Sequence, residues 1–228
     1  YIFLKTGAYR PADLARAVSF SSKYKLDLLT VDAAGGGTGM SPWRMMNEWG
    51  VPPVELHSLV YQYAKRLSEK KRYLPAIAVN GGFVFEDQIF KGLAMGAPFV
   101  KIVGMARAPI AAAMVGKTIG LSIAAQQVPV YIERFGNTKD EIFVTASSLR
   151  KELGNEAFEK LPTGAIGLYT YYERLAQGLR QLMAGSRKFS LEHMSRNDLA
   201  ALTREAAEIS NIQYIMDVDR AEVEKILS

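Results

Sequence analysis

The sequence predicts an α/β fold: the C-terminal half of a TIM-type (β/α)8 barrel, about four βα units, carrying a C-terminal helical extension. Three observations lead there. Four short apolar runs, each followed by a helical pattern, fill residues 1–128. Two glycine clusters stand just past two of these runs: Pro75-Ala-Ile-Ala-Val79 leads into Asn80-Gly81-Gly82, and Pro98–Val103 leads into Gly104-Met105-Ala106-Arg107. Beyond residue 128 the alternation stops and amphipathic helices follow. Repeating βα units with short loops imply a parallel sheet with right-handed crossovers. The expected division is therefore 1–128 for the barrel half and 129–228 for the extension.

Four strands do not close a parallel barrel, which takes eight over about 250 residues. The chain opens directly inside an apolar strand, Tyr1-Ile-Phe-Leu4. Together these predict a missing N-terminal barrel half that covers one sheet face.

The elements read as follows. The first unit is a strand over 1–5 and a helix over Arg10–Tyr24, with Pro11 near its start and Leu14, Val18 and Ser21 on the helical period. The second is the buried-type strand Leu26–Val31, the loop Ala33–Gly39 and a helix over Val54–Lys71. The third runs from the strand ending at Val79 to a helix over Glu86–Met95, and the fourth from Pro98–Val103 to a helix over Pro109–Ala125. In the extension, Val130–Arg134 reads as a short extended piece. Leu149–Glu159, Tyr169–Ala184, Asp198–Ile209 and Asp217–Leu227 read as helices, with a cap region at Ser195–Asp198.

Composition narrows the chemistry. The 228 residues are 49% hydrophobic and 22% charged, an ordinary globular balance. There is no cysteine, which excludes disulfides, thiolate nucleophiles and cysteine-held zinc or iron–sulfur clusters within this chain. No apolar run approaches the ~18 residues that span a bilayer. No signal peptide is visible, so the expected location is the cytoplasm and no membrane partner is expected. The net charge of +5 is spread along helices, so no nucleic-acid partner is expected either.

The two glycine clusters point to an anion. Glycine lets backbone N–H groups approach a phosphate closely and adopt positive φ, and loops after the last two strands of such barrels commonly build a phosphate site. Gly81, Gly82, Gly104 and Met105 are the candidate phosphate loops, and Arg107 offers a countercharge or a solvent-facing side chain. Asn80 can hydrogen-bond a polyol. Gly35-Gly36-Gly37-Thr38-Gly39 follows a strand and so lies on the same rim; it can bind a carboxylate or flank a ring, with Thr38 offering a hydroxyl. Asp32 ends its strand as either a rim acid or a loop cap. Lys5, at a strand end before Gly7, is either a site cation or a surface lysine. His57 and His193 read as structural. Trp43 and Trp49 read as a lid or, more simply, as packing of the loop onto the barrel.

These pieces resemble the FMN-binding domain of the glutamate synthase large subunit. The resemblance is carried by Leu4-Lys5 with Gly7, Gly36-Gly-Thr-Gly39 with Ser41-Pro42, Gly81-Gly82 after a strand, Leu93-Ala-Met-Gly-Ala97 and the Gly104 loop. Leu179–Met183, Ser190-Leu191 and Arg196-Asn-Asp-Leu199 resemble that family's C-terminal helices. The resemblance implies FMN as cofactor, held by Lys5, Gly36, Gly37, Asn80, Gly81, Gly82, Gly104, Met105 and Arg107, with Lys5 and Thr38 serving catalysis. In that placement Lys5 stabilises the anionic reduced flavin.

The implied reaction reduces the imine of 2-oxoglutarate and ammonia to L-glutamate. Electrons come from a donor protein or subunit, because no nicotinamide fingerprint is present. The family's three-iron cluster follows the last barrel strand; here Ile110–Gln127 is cysteine-free, so no iron–sulfur cluster is ligated by this chain. The missing cysteines imply a cluster-free branch, and the family's His-Asp pair before Gly-Gly-Thr-Gly reads Ala34-Gly35 here, a departure that bears on substrate binding. Other readings are a different FMN barrel, such as a type 2 isopentenyl diphosphate isomerase, or a non-catalytic flavin- or phosphate-binding scaffold.

Overall fold

A computed structural model describes residues 1–37 and 41–228. Four strands form one parallel sheet in the order β1-β2-β3-β4: β1 Phe3–Gly7, β2 Leu28–Asp32, β3 Ala76–Asn80 and β4 Val100–Gly104. Helices α1 (Pro11–Lys23), α2 (Trp43–Trp49), α3 (Pro53–Glu69) and α4 (Glu86–Gly96) fill the connections. After β4 come α5 (Arg107–Ala124), α6 (Val130–Glu133), α7 (Lys139–Ile142), α8 (Ala146–Leu153), α9 (Asn155–Lys160) and α10 (Thr163–Gly185). The chain closes with α11 (Arg204–Ser210) and α12 (Arg220–Leu227). The expected α/β class and its four βα units are present.

Two compact units result: Tyr1–Met105 with Leu179–Ser228, and Ala106–Gly178. Residue 128, the boundary expected from sequence, falls inside the second unit.

In the first unit, strand alternation sorts the sheet into two unlike faces. Leu29, Val31, Ile77 and Val79 face the helices and are fully buried with Leu14 and Val18 of α1 and Leu56, Val60 and Ala64 of α3. The other face carries Phe3 and Ile102, both exposed, and Thr30. Burial of one face drives the packing, and strands of this kind with short helical crossovers leave the helices on one side. The returning C-terminal segment packs on α4: Leu179, Met183, Met194 and Leu199 surround Phe90 and Ala94. Arg196 locks this return, its guanidinium 3.9 Å over the Tyr61 ring and donating to the carbonyls of Met95 and Ser210.

The second unit has its own core of Phe143, Ala146, Leu149, Phe158 and Ile166. Close approach of α5 and α10 requires small residues: a Cβ on Gly167 would lie 2.9 Å from the Ala112 carbonyl. Phe158 is clasped by Lys139 and Arg150, whose charges meet Glu159 at 2.7 and 2.8 Å.

Four sequence expectations change in the extension, and the first strand, expected over 1–5, runs Phe3–Gly7. Val130–Arg134 is not extended: Pro129 presets φ at −60° and its carbonyl accepts from Ile132 and Glu133 N–H, starting a short helix. Leu149–Glu159 is two helices, because Gly154 at φ 80° breaks the turn between α8 and α9. Asp198–Ile209 is not continuous either. A 3-10 turn at Arg196–Asp198 precedes α11, which starts only where the Thr203 hydroxyl accepts from the Ala206 N–H at 3.1 Å. Asp217–Leu227 is shortened to α12, with a 3-10 turn Ile215–Asp217 before it.

Candidate functional site

The parallel register places the last residue of each strand in one row: Gly7, Asp32, Asn80 and Gly104. Lys5 lies two residues behind Gly7 and therefore on the same sheet face. Its Nζ reaches Asp32 Oδ2 at 3.0 Å, and Asn80 Nδ2 donates to Asp32 Oδ1 at 2.9 Å. The Asp32 side chain is 3% exposed and that of Lys5 53%. A buried carboxylate thus holds one end of a cation whose other surface remains open.

Asn80 has a second polar atom, Oδ1, which is buried and has no hydrogen-bond partner among the described residues. Buried amide oxygens are almost always paired, so this one calls for a donor that the described residues do not supply. Gly104 stands against it, and a Cβ there would overlap Oδ1 and Cγ outright. Gly81 and Gly82 follow with φ 99° and 83°, in the left-handed region open to glycine. Gly81 also crosses Ala33, whose N–H donates to the Asn80 carbonyl at 2.9 Å, so the loops after β2 and β3 are tied together.

The loop after β2 closes over Asp32. A Cβ on Gly36 would lie 3.1 Å from Asp32 Oδ1, and one on Gly37 3.0 Å from Oδ2, with Gly37 at φ 64°. Gly37→Ala is therefore expected to destabilise the first unit by about 1–2 kcal/mol, the penalty for a left-handed L-residue, and a lower urea midpoint checks it. Thr38, one of the two candidate catalytic residues, lies outside the described residues. Met105 is half-buried against the main core, so its side chain serves packing. Arg107 opens α5 in the second unit.

Lys5, Gly36, Gly37, Asn80, Gly81, Gly82 and Gly104 are thus gathered at one sheet edge. Asp32, left open in the sequence as rim acid or loop cap, ties them together. Its signal is a carboxylate closing an apolar strand two alanines ahead of a glycine run.

Next to the site, α2 anchors through Met46, which is fully buried and lies close to Gly7. Trp43 and Trp49 stay 58% and 67% exposed, so methionine rather than tryptophan packs this loop. His57 of α3 is buried and stacks on Phe83 at a centroid distance of 5.5 Å and an angle of 9°. Burial pushes its imidazole down to about 4. Pro53, one turn before it, is the side chain that Gly82 faces. Among the described residues no cluster of histidine and carboxylate side chains can hold a metal ion, and no helix is long and apolar enough to cross a membrane.

Among the described residues the row offers the Lys5 cation, the unpaired Asn80 amide oxygen and the bare backbone of the Gly81-Gly82 and Gly104 loops within a single edge. That donor set suits a ligand that combines an anionic group with hydrogen-bond donors. Residues 1–116 match a family model described as a conserved region in glutamate synthase. No curated protein and no solved structure matches the chain.

Proposed function

The chain belongs to the glutamate synthase family, and from that premise we propose that it carries the FMN site of an oxidoreductase that reduces the imine of 2-oxoglutarate and ammonia to L-glutamate. The observation that carries this reading is the unpaired Asn80 Oδ1 beside Gly104, in one row with the Lys5–Asp32 pair. FMN fits that set. Its ribityl hydroxyls are donors for Asn80 Oδ1, its phosphate suits N–H groups of the Gly81-Gly82 and Gly104 loops, and its ring system suits a neighbouring ammonium. Bound there, FMN would supply the two-electron chemistry, receiving electrons from a donor protein or subunit and delivering hydride to the imine carbon.

The protein's own part is positioning and charge. Lys5 presents a fixed positive charge where negative charge develops, which strengthens as water is excluded. Asn80 and the glycine loops fix depth and orientation at the sheet edge. The four-stranded sheet is read as half of a TIM-type barrel. The exposed Phe3 and Ile102 on the face opposite the helices, and β1 and β4 as open edges, support four further βα units as its cover.

The test is spectroscopic. Purified protein is expected to show flavin absorption near ~450 nm that bleaches on anaerobic reduction, with FMN released on denaturation. A colourless protein that does not take up FMN would refute the reading. Lys5→Met is expected to slow turnover of 2-oxoglutarate with ammonia about tenfold, the low end of what one charge-assisted contact supplies, while leaving the circular dichroism spectrum unchanged. Turnover equal to that of the parent would remove Lys5 from the site.

A further inference from the structure

We infer that Asp32 is a positioning residue: it holds the Lys5 ammonium at the carboxyl edge of the sheet and, through Lys5, moderates how strongly the site favours a reduced over an oxidised flavin. The flavin clause rests on the function proposed above; the hold on Lys5 does not.

The geometry is specific. Both carboxylate oxygens are engaged, Oδ2 by Lys5 Nζ at 3.0 Å and Oδ1 by Asn80 Nδ2 at 2.9 Å. The carboxylate cannot wander, because Gly36 and Gly37 pack directly over it. Lys5, by contrast, is a long half-exposed side chain, and such a chain left alone spreads over many rotamers. A rigid buried anion therefore selects one Lys5 position.

Its neighbours on the chain, Val31 and Ala33, are fully buried and apolar. An apolar residue at 32 would avoid the desolvation that a buried carboxylate suffers. The Asn80 amide needs only a neutral acceptor at 32, whereas a cation that must stay in place gives a direct reason for an acid. Asp32 also offsets part of the Lys5 charge felt at the edge, and the same carboxylate contacts Asn80, whose other amide atom is the unpaired one. One residue therefore sets both the cation and the acceptor.

The test uses Asp32→Asn, which keeps shape and removes charge, with Asp32→Ser as the second variant should the first not fold. Two quantities are read. The first needs no flavin: competitive labelling of Lys5 by acetic anhydride, followed by mass spectrometry. It is expected to rise several-fold in the variant relative to the other lysines, as the ammonium is freed. The second is the flavin midpoint potential, expected to rise. An uncompensated Lys5 favours the reduced form about tenfold more, about 30 mV for a two-electron couple. A side chain that merely stabilised the fold would move neither quantity in this direction. Unchanged Lys5 labelling overturns the proposal whether or not FMN binds. An unchanged or lowered potential in the flavin-loaded variant overturns it as well. Faster labelling in a protein that takes up no FMN supports the Asp32–Lys5 hold and refutes the flavin reading alone.

Discussion

Gly104→Ala is expected to weaken FMN binding by roughly a hundredfold, because no place exists for the added methyl. The Cβ would overlap Asn80 Oδ1 and Cγ, and Nδ2 would stand only 3.1 Å away. Gly104 is the last residue of β4 and is held in register with Asn80, so the backbone has little freedom to retreat. Asn80 must rotate instead. Rotation breaks its bond to Asp32 and turns Oδ1 away from the edge. The buried Asp32 carboxylate then keeps Lys5 as its remaining charged partner but loses its neutral donor. The ligand's donor then meets no acceptor at Asn80, which costs up to about 3 kcal/mol of binding when that group is buried. A loss of about 3 kcal/mol in binding corresponds to roughly a hundredfold in Kd. Quenching of FMN fluorescence on titration measures it. Gly185→Ala, where nothing lies within 4 Å of an added Cβ, is the control expected to bind as the parent does. A Gly104→Ala protein that binds FMN like the parent would show that Asn80 does not face the ligand.

The reason the site was partly legible in the sequence lies in what each signal measures. Glycine after an apolar run is a local pattern, and it located Gly81, Gly82 and Gly104 at strand ends. Register is not local. The expected first strand covered 1–5, whereas β1 runs Phe3–Gly7, and that shift of two residues brings Gly7 into the row with Asp32. The partners of Asp32 stand 27 and 48 positions away in sequence, on two different strands, so no spacing rule connects them. Pairing of neighbouring strands is what joins them. Elsewhere the missed signals were present: Pro129 before α6 and Gly154 between α8 and α9 both punctuate local structure.

The extension shows the limit from the other side. Its helices were expected from apolar periodicity, but periodicity does not say what a helix face meets. Residues 106–178 gather around Phe158 as a unit of their own. From Leu179 onward the chain rejoins the first unit by packing on α4. Arg196 is the residue that makes this return specific, since its planar guanidinium satisfies two carbonyls and stacks on Tyr61 at once. In sequence it is one basic residue among 28.

Acidification is expected to destabilise the protein through His57. Its imidazole titrates at about 4 in the folded chain, against 6.5 as the ordinary value, because burial disfavours the charged form. The unfolded chain therefore binds a proton first as pH falls. The stabilisation is complete above about pH 6.5, shrinks as pH drops, and reaches its full loss near pH 4. Linkage puts the loss at about 2 kcal/mol by pH 5 and about 3 kcal/mol by pH 4. At pH 5 that lowers Tm by about 4–8 °C for a chain of this size. The effect has a route to the site. His57 stacks on Phe83, the residue after Gly82, and Pro53 of the same helix faces Gly82 itself. A protonated imidazole with its buried Nε2 unpaired among the described residues would push on that loop from beneath. FMN retention is thus expected to fall over the same pH range as stability. His57→Phe keeps a ring against Phe83 and removes the titration. Its unfolding profile is expected to be flatter than that of the parent between pH 7 and pH 5. Parallel profiles would show that His57 is not the group that links proton uptake to stability.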